Sequence, residues 1–77
     1  MIYTYATVQP LMRDAGVRAA VMDPACFGNP YPELHLAKHT GRTLCGRAYT
    51  EEARYRPLPT DHVCEFCTTV TWPRGLE

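Results

Sequence analysis

The stretch that decides the fold runs from residue 35 to residue 67 and carries one histidine and three cysteines at the spacing of a metal site. It reads His35-x9-Cys45-x18-Cys64-x2-Cys67. Three thiolates and one imidazole are enough to fill the tetrahedral shell of a structural zinc site. The pattern therefore predicts that His35, Cys45, Cys64 and Cys67 hold one Zn2+ ion.

The spacing supports this prediction and also leaves one alternative open. The 18 residues between Cys45 and Cys64 fall within the range found between the two halves of zinc ribbons. The first half is irregular, because it offers His-x9-Cys where a ribbon would offer a second Cys-x2-Cys. A fourth cysteine, Cys26, is an alternative ligand in place of His35. His39 competes for the imidazole role, but we expect it to lie in a turn.

The size of the chain explains why a metal would be needed. A domain of 77 residues buries only about 60% of its unfolded surface, so its core is marginal without a disulfide or a metal. The first residues, Met1 to Tyr5, have neither a basic segment nor an apolar one, and we expect a cytoplasmic protein without a membrane span. Cysteines in that compartment favour metal binding over disulfides.

Alternation along residues 33–45 predicts a β-hairpin that places two of the ligands opposite each other. His39-Thr40-Gly41 is a three-residue turn with Gly at the position that favours a left-handed backbone. Counting back from this turn pairs His35 with Cys45, and opposed Cβ atoms lie about 4.5–5.5 Å apart. We expect Leu34, Leu36 and Leu44 to form an apolar cluster on the other face.

The other segments predict an α+β domain. We expect a strand at residues 2–8 and a helix at 11–22, or a hairpin with its turn at 13–16 and its return strand at 17–21. Residues 23–32, with three prolines, predict a loop. We expect a short helix at 50–56, the Cys-x2-Cys knuckle at 64–67 and a strand at 68–72. These elements predict one domain, residues 1–77, with an N-terminal part at 1–33 and a zinc module at 34–72.

Three short motifs resemble a group of small zinc-finger proteins that is common in actinobacteria and their bacteriophages. They are Leu34-His35-Leu36-Ala37, Thr43-Leu44-Cys45-Gly46 and Cys64-Glu65-Phe66-Cys67. The resemblance covers about residues 34–67, and most members of the group have no assigned function. It implies that His35, Cys45, Cys64 and Cys67 hold the metal, and it supplies no reaction or partner.

Charge and ligand count narrow the function to a binding role. Four protein ligands favour a structural site over a catalytic one, so we do not expect an enzyme. Eight basic and eight acidic residues cancel, which suits a protein partner better than nucleic acid. Nucleic-acid binding is the alternative, because residues 38–56 hold five cations and two acids. The candidate contact residues for a protein or nucleic-acid partner are Arg42, Arg47, Arg54, Arg56, Tyr49, Tyr55 and Trp72.

Overall fold

Two helices and one pair of strands make up the regular structure of the residues that the structure describes. The structure, a computed structural model, describes residues 3–24, 32–39, 41–50 and 55–76. Its elements in chain order are α1 (Tyr5–Ala15), β1 (Arg18–Pro24), β2 (Pro32–Ala37) and α2 (Glu65–Thr71). The predicted α+β class is confirmed.

Helix α1 occupies a segment for which the sequence predicts a strand. Val8 and Met12, four residues apart on one face of α1, are both buried, and this burial outweighs the β propensity of the neighbouring Tyr, Thr and Val residues. Gly16, at φ 70°, ends the helix and donates its backbone N–H to the carbonyl of Arg13. The predicted strand at 2–8 is therefore wrong from Tyr5 onward, and the predicted helix at 11–22 ends at Ala15.

Strands β1 and β2 form an antiparallel hairpin. Strand β1 lies where the rival prediction put a return strand, but its partner is β2 and not the N-terminal segment. The pairing runs through Pro24 and Pro32, so both ends of the predicted 23–32 loop belong to strands. Residues 25–31, including Cys26, lie outside the described part of the chain.

Strand β2 has paired backbone on both sides, which places it at the centre of the described fold. On the side away from β1, Leu34 donates to the carbonyl of His62 and accepts from the N–H of Cys64, at 2.7 and 2.8 Å. The next segment outward is the N-terminus, where the carbonyl of Tyr3 accepts from the N–H of Val63 at 2.8 Å. All residues of β2 after Pro32 are buried, as expected for a central strand.

Helix α2 replaces the strand predicted at 68–72. Its three threonines bond back to carbonyls four residues earlier: Thr68 to Cys64, Thr69 to Glu65 and Thr71 to Cys67, at 2.8–2.9 Å. These bonds are the kind that β-branched hydroxyl residues make inside helices. Cys67 and Thr68 are the buried residues of α2, so tertiary packing overrides the β propensity of this segment.

One hydrophobic cluster joins all four elements to the segment before α2. Leu44 is half-buried against this cluster, which agrees with its predicted grouping with Leu34 and Leu36. Trp72 and Leu76 also pack against it, so the residues after α2 contribute to the interior. The buried members are Val8, Met12, Val17, Leu34, Leu36, Val63, Cys64 and Cys67.

The described residues also bear on the helix predicted at 50–56 and on the question of a membrane-spanning helix. Of the helix predicted at 50–56, residues 50, 55 and 56 are not helical, and residues 51–54, which include Arg54, lie outside the described ranges. None of the helices described here is long and apolar enough to cross a lipid bilayer.

Candidate metal centre

Three separate parts of the chain deliver the four candidate ligands. His35 comes from the middle of the central strand β2, and Cys45 comes from the turn at residues 43–46. Cys64 is the N-cap residue of α2, and Cys67 lies in its first turn. The Cys-x2-Cys spacing thus places one sulfur just before the helix and the other on its buried face.

The ligand atoms lie close enough to share one ion. One side-chain atom each from His35, Cys45, Cys64 and Cys67 can be chosen so that all four lie within 4.8 Å of one another. Nδ1 of His35 is 3.3 Å from Sγ of Cys45 and 3.9 Å from Sγ of Cys67. Zn–N and Zn–S bonds of about 2.0–2.3 Å at tetrahedral angles would separate ligand atoms by about 3.5–3.8 Å. The cluster is therefore of the right size for a four-coordinate zinc ion.

One backbone bond near the site agrees with the predicted register between His35 and Cys45, although the second strand of the predicted hairpin does not form among the described residues 41–45. The N–H of Leu44 donates to the carbonyl of Leu36 at 2.8 Å, and these are the two residues next to the ligands. Gly41, at φ 89°, has the predicted left-handed conformation. The reversal is tighter than expected, because His39 pairs with Arg42 across it.

Thr43 organises the turn that carries Cys45. Its hydroxyl lies 3.1 Å from Sγ of Cys45 and accepts the N–H of Arg47 at 3.0 Å. Its backbone carbonyl accepts the N–H of Gly46, which has φ 93°. Thr43 is buried, and the sequence analysis did not single it out. The sequence feature that could have pointed to Thr43 is its position two residues before Cys45, because a hydroxyl at that position can orient the sulfur.

Burial controls the chemistry of the cluster in the absence of metal. His35, Cys64 and Cys67 are fully buried, and Cys45 is half-buried. Burial, with a further contribution from the neighbouring Cys45, raises the pKa of the Cys67 thiol to about 12. This thiol is protonated at neutral pH without metal, and a bound cation would displace its proton. The Cys67 sulfur also lies 3.7 Å from the carbonyl of Leu36.

Disulfide formation at Cys64 competes with metal binding. Cys45 and Cys67 are free cysteines, whereas Cys64 is disulfide-bonded in this structure. Zinc binds thiolates, so a sulfur in a disulfide cannot serve as the third sulfur ligand. The four-ligand shell therefore belongs to the reduced protein.

The described residues among the other candidates are not members of this cluster. His39 is exposed in the turn, as the sequence predicts, and Cys26 is outside the described ranges. Arg42 and Arg47 are exposed, while Trp72 is half-buried against the core.

Three of the predicted contact residues line one cavity. Tyr49, Tyr55 and Arg56 lie there together with Arg18, which the sequence analysis did not single out. Arg18 lies on β1 and reaches Tyr49 through a 3.3 Å contact between its guanidinium and the phenol oxygen. No local motif links residues 31 positions apart, so only the fold reveals this grouping.

Comparisons of the chain with models of protein families, with curated proteins and with solved structures find no match. The resemblance to small actinobacterial and phage zinc-finger proteins therefore stays a prediction.

Proposed function

We propose that this chain is a small non-catalytic module that is stabilised by one zinc ion and binds a protein partner. The observation that carries the proposal is the convergence of His35, Cys45, Cys64 and Cys67 to within 4.8 Å. These residues come from a strand, a turn and a helix start that are far apart in sequence. An ion bound to all four would link these parts of the fold directly.

The donor set favours zinc among the common metals. Thiolates select zinc, copper(I) or iron–sulfur clusters over magnesium and calcium, and an imidazole is a good zinc ligand. A site of three sulfurs and one nitrogen is among the usual structural zinc shells. When bound there, zinc would supply a cross-link and would hold the thiols as thiolates.

The arrangement supports a structural role for the metal. Structural zinc sites use four protein ligands, whereas catalytic sites keep one position for water or substrate. Here four candidate ligands converge, and three of them are fully buried. The thiolate shell also needs a reducing compartment, which supports placing the protein in the cytoplasm.

An exposed apolar face of helix α2 supports the proposal of a protein partner. Phe66 and Val70, one helical turn apart, are 42% and 47% exposed. Neighbouring apolar side chains exposed on one face often mark a protein-interaction site. The neutral net charge of the whole chain is also compatible with a protein partner. We propose this face of α2 as the contact surface.

Metal content and chelation test the structural part of the proposal. The protein, purified under reducing conditions, should contain one zinc per chain, and removing the zinc with a chelator should abolish its cooperative thermal unfolding transition. A reduced chain that binds no zinc, or that unfolds with the same Tm after zinc removal, would overturn it.

A second experiment tests the partner. The tagged zinc-loaded protein and its Phe66→Ser/Val70→Ser variant should be compared in capture experiments from the cell that expresses it. A specific partner should be retained by the parent chain and lost by the variant, and the exposed Leu58→Ser change is the matched control. Equal capture by all three would exclude this face of α2 as the contact surface.

Nucleic-acid binding is the second candidate, and the grouping of Tyr49, Tyr55 and Arg56 supports it. Aromatic rings and arginines together are typical of single-strand binding surfaces. Retention of a random oligonucleotide at about 50 mM salt, with a log–log salt slope near −3 or steeper, would favour it. Absence of retention at that salt would remove it.

A further inference from the structure

A cavity of about 590 Å3 lies beside strand β1, and the proposed zinc site does not account for it. Its volume is within the range of about 300–1,000 Å3 that is typical of small-molecule sites. None of the four candidate zinc ligands is among its described lining residues, which are Arg18, Ala19, Ala20, Tyr49, Thr50, Tyr55, Arg56 and Pro57.

An irregularity of β1 forms the floor of this cavity. Ala19 pairs with Leu36 and Met22 pairs with Leu34, so β1 advances three residues while β2 advances two. The extra residue makes a β-bulge, a feature that often lies next to binding sites and redirects side chains. Ala19 and Ala20 both line the cavity, and their small side chains leave it open.

The two tyrosines are fixed in the wall by their hydroxyl groups. The Tyr55 hydroxyl donates to Oδ2 of Asp61 at 2.8 Å, and the same oxygen accepts the N–H of Leu58 at 2.7 Å. The Tyr49 hydroxyl lies 3.3 Å from the guanidinium of Arg18. With their hydroxyls engaged, the tyrosines offer mainly aromatic ring surface to an occupant.

The described residues of the lining carry positive charge. Arg18 and Arg56 line the cavity, and no acidic side chain does so among the lining residues that the structure describes. Guanidinium groups match the oxygens of a phosphate in geometry and charge, and aromatic rings stack on the flat face of a base. We propose that this cavity binds the phosphate group of a nucleotide, with Arg18 and Arg56 as its charged contacts and Tyr49 and Tyr55 beside the base.

Titration of the full-length zinc-loaded protein tests the proposal and separates the sources of the phosphate. The probes are adenosine monophosphate, adenosine, inorganic phosphate and a short single-stranded oligonucleotide with or without a 5′-phosphate. Binding is followed by calorimetry and by NMR shifts. Adenosine monophosphate should bind more tightly than adenosine or inorganic phosphate. Adenosine has no phosphate for the arginines to bind, and inorganic phosphate has no base to lie beside the tyrosines. Preference for the 5′-phosphorylated oligonucleotide over the free nucleotide would identify a strand end as the source.

Substitutions in the cavity decide whether the phosphate lies there. Arg18→Gln and Arg56→Gln should each weaken binding of the preferred probe about tenfold or more, because each removes a charged hydrogen-bond donor. Both arginines are exposed, as is Arg74, which lies outside the lining and whose Arg74→Gln variant is the matched control. Zinc content and Tm are measured for every variant to establish that it is folded.

Three outcomes would overturn the proposal. These are no binding of any phosphorylated probe at millimolar concentration, equal binding of adenosine and its monophosphate, and unchanged affinity in the folded Arg18→Gln and Arg56→Gln variants. Because this site does not depend on the face of α2 or on the identity of the metal, its failure leaves the proposed function standing. The zinc proposal is tested independently, by the metal content of the purified protein.

Discussion

Nδ1 of His35 lies 3.3 Å from Sγ of Cys45, although one residue is in the central strand and the other is in a turn ten positions later. The bond between the N–H of Leu44 and the carbonyl of Leu36 fixes this proximity from the backbone side. The contact does not require a regular second strand.

The two histidines near this contact provide a matched pair of variants. His35→Ala should lower zinc affinity by more than about 100-fold, because even residues that only orient a ligand change metal affinity by about 10–100-fold. His39→Ala, in the exposed turn, should leave zinc affinity within about twofold of the parent chain. Chelator competition measures both. Equal affinities in the two variants would remove His35 from the ligand set.

Reduction should control zinc uptake. Because Cys64 is disulfide-bonded in this structure, we expect the oxidised protein to bind clearly less than one zinc per chain. Treatment with a phosphine reductant should bring the ratio to one. Native mass spectrometry reports the disulfide and the metal in the same spectrum. A chain that carries a full zinc ion while the disulfide is intact would show that Cys64 is not a ligand.

Cys26→Ser separates the two ligand sets that the sequence leaves open. We expect this variant to retain one zinc per chain under reducing conditions, since His35 already lies beside Cys45 and Cys67. Cys45→Ser is the comparison, and it should lose most of its zinc affinity. Loss of zinc from Cys26→Ser alone would support the shell of four thiolates.

Acid should weaken zinc binding through Cys67. The pKa of this thiol is raised to about 12 by burial, so below pH 9 the metal-free site holds a proton that zinc must displace. The raised pKa favours the metal-free form as pH falls and favours the zinc-bound form as pH rises toward 12. Between pH 6 and 8 the zinc Kd should fall at least about tenfold per unit. An affinity that does not change over this range would contradict thiolate ligation.

Substitutions of two leucines test how much stability the core contributes in addition to the metal. Leu34 is fully buried under the site, and Leu34→Ala should lower the free energy of unfolding by about 2–5 kcal/mol in the zinc-loaded protein. Leu58 is 58% exposed, and Leu58→Ala should change it by less than about 0.5 kcal/mol. Urea denaturation measures both. Similar effects would show that Leu34 does not belong to a packed interior.

Sequence reasoning succeeded where a short-range rule applied. The Cys-x2-Cys spacing and the left-handed Gly41 depend on neighbouring residues. His35 lies beside Cys45 as predicted, although the turn pairs His39 with Arg42 and so departs by one residue from the predicted register. The α+β class followed from the mixture of strand-like and helix-like segments.

The errors lie in segments whose local preference is opposed by packing. Residues 68–71 are all β-branched, and residues 5–8 are β-branched or aromatic except for an alanine at position 6. Both segments are helical because Val8, Cys67 and Thr68 are buried on helix faces. The pairing of β1 with β2 was also missed, because residues 33–45 were predicted to form a hairpin among themselves and residues 23–32 were predicted to be a loop. The cavity at Arg18 needs contacts across the whole chain and has no local signature.

The bonds between Tyr3 and Val63, and between Tyr5 and Asp61, have a consequence for biosynthesis. A ribosome synthesises Tyr3 and Tyr5 long before Asp61 and Val63. Cys67, which carries the last sulfur of the cluster, is synthesised later still. The nascent chain therefore cannot complete its central sheet before residues 61–67 have left the ribosome. Premature termination before Cys67 would leave a polypeptide that neither closes its sheet nor retains its ion, and cellular proteases should remove it.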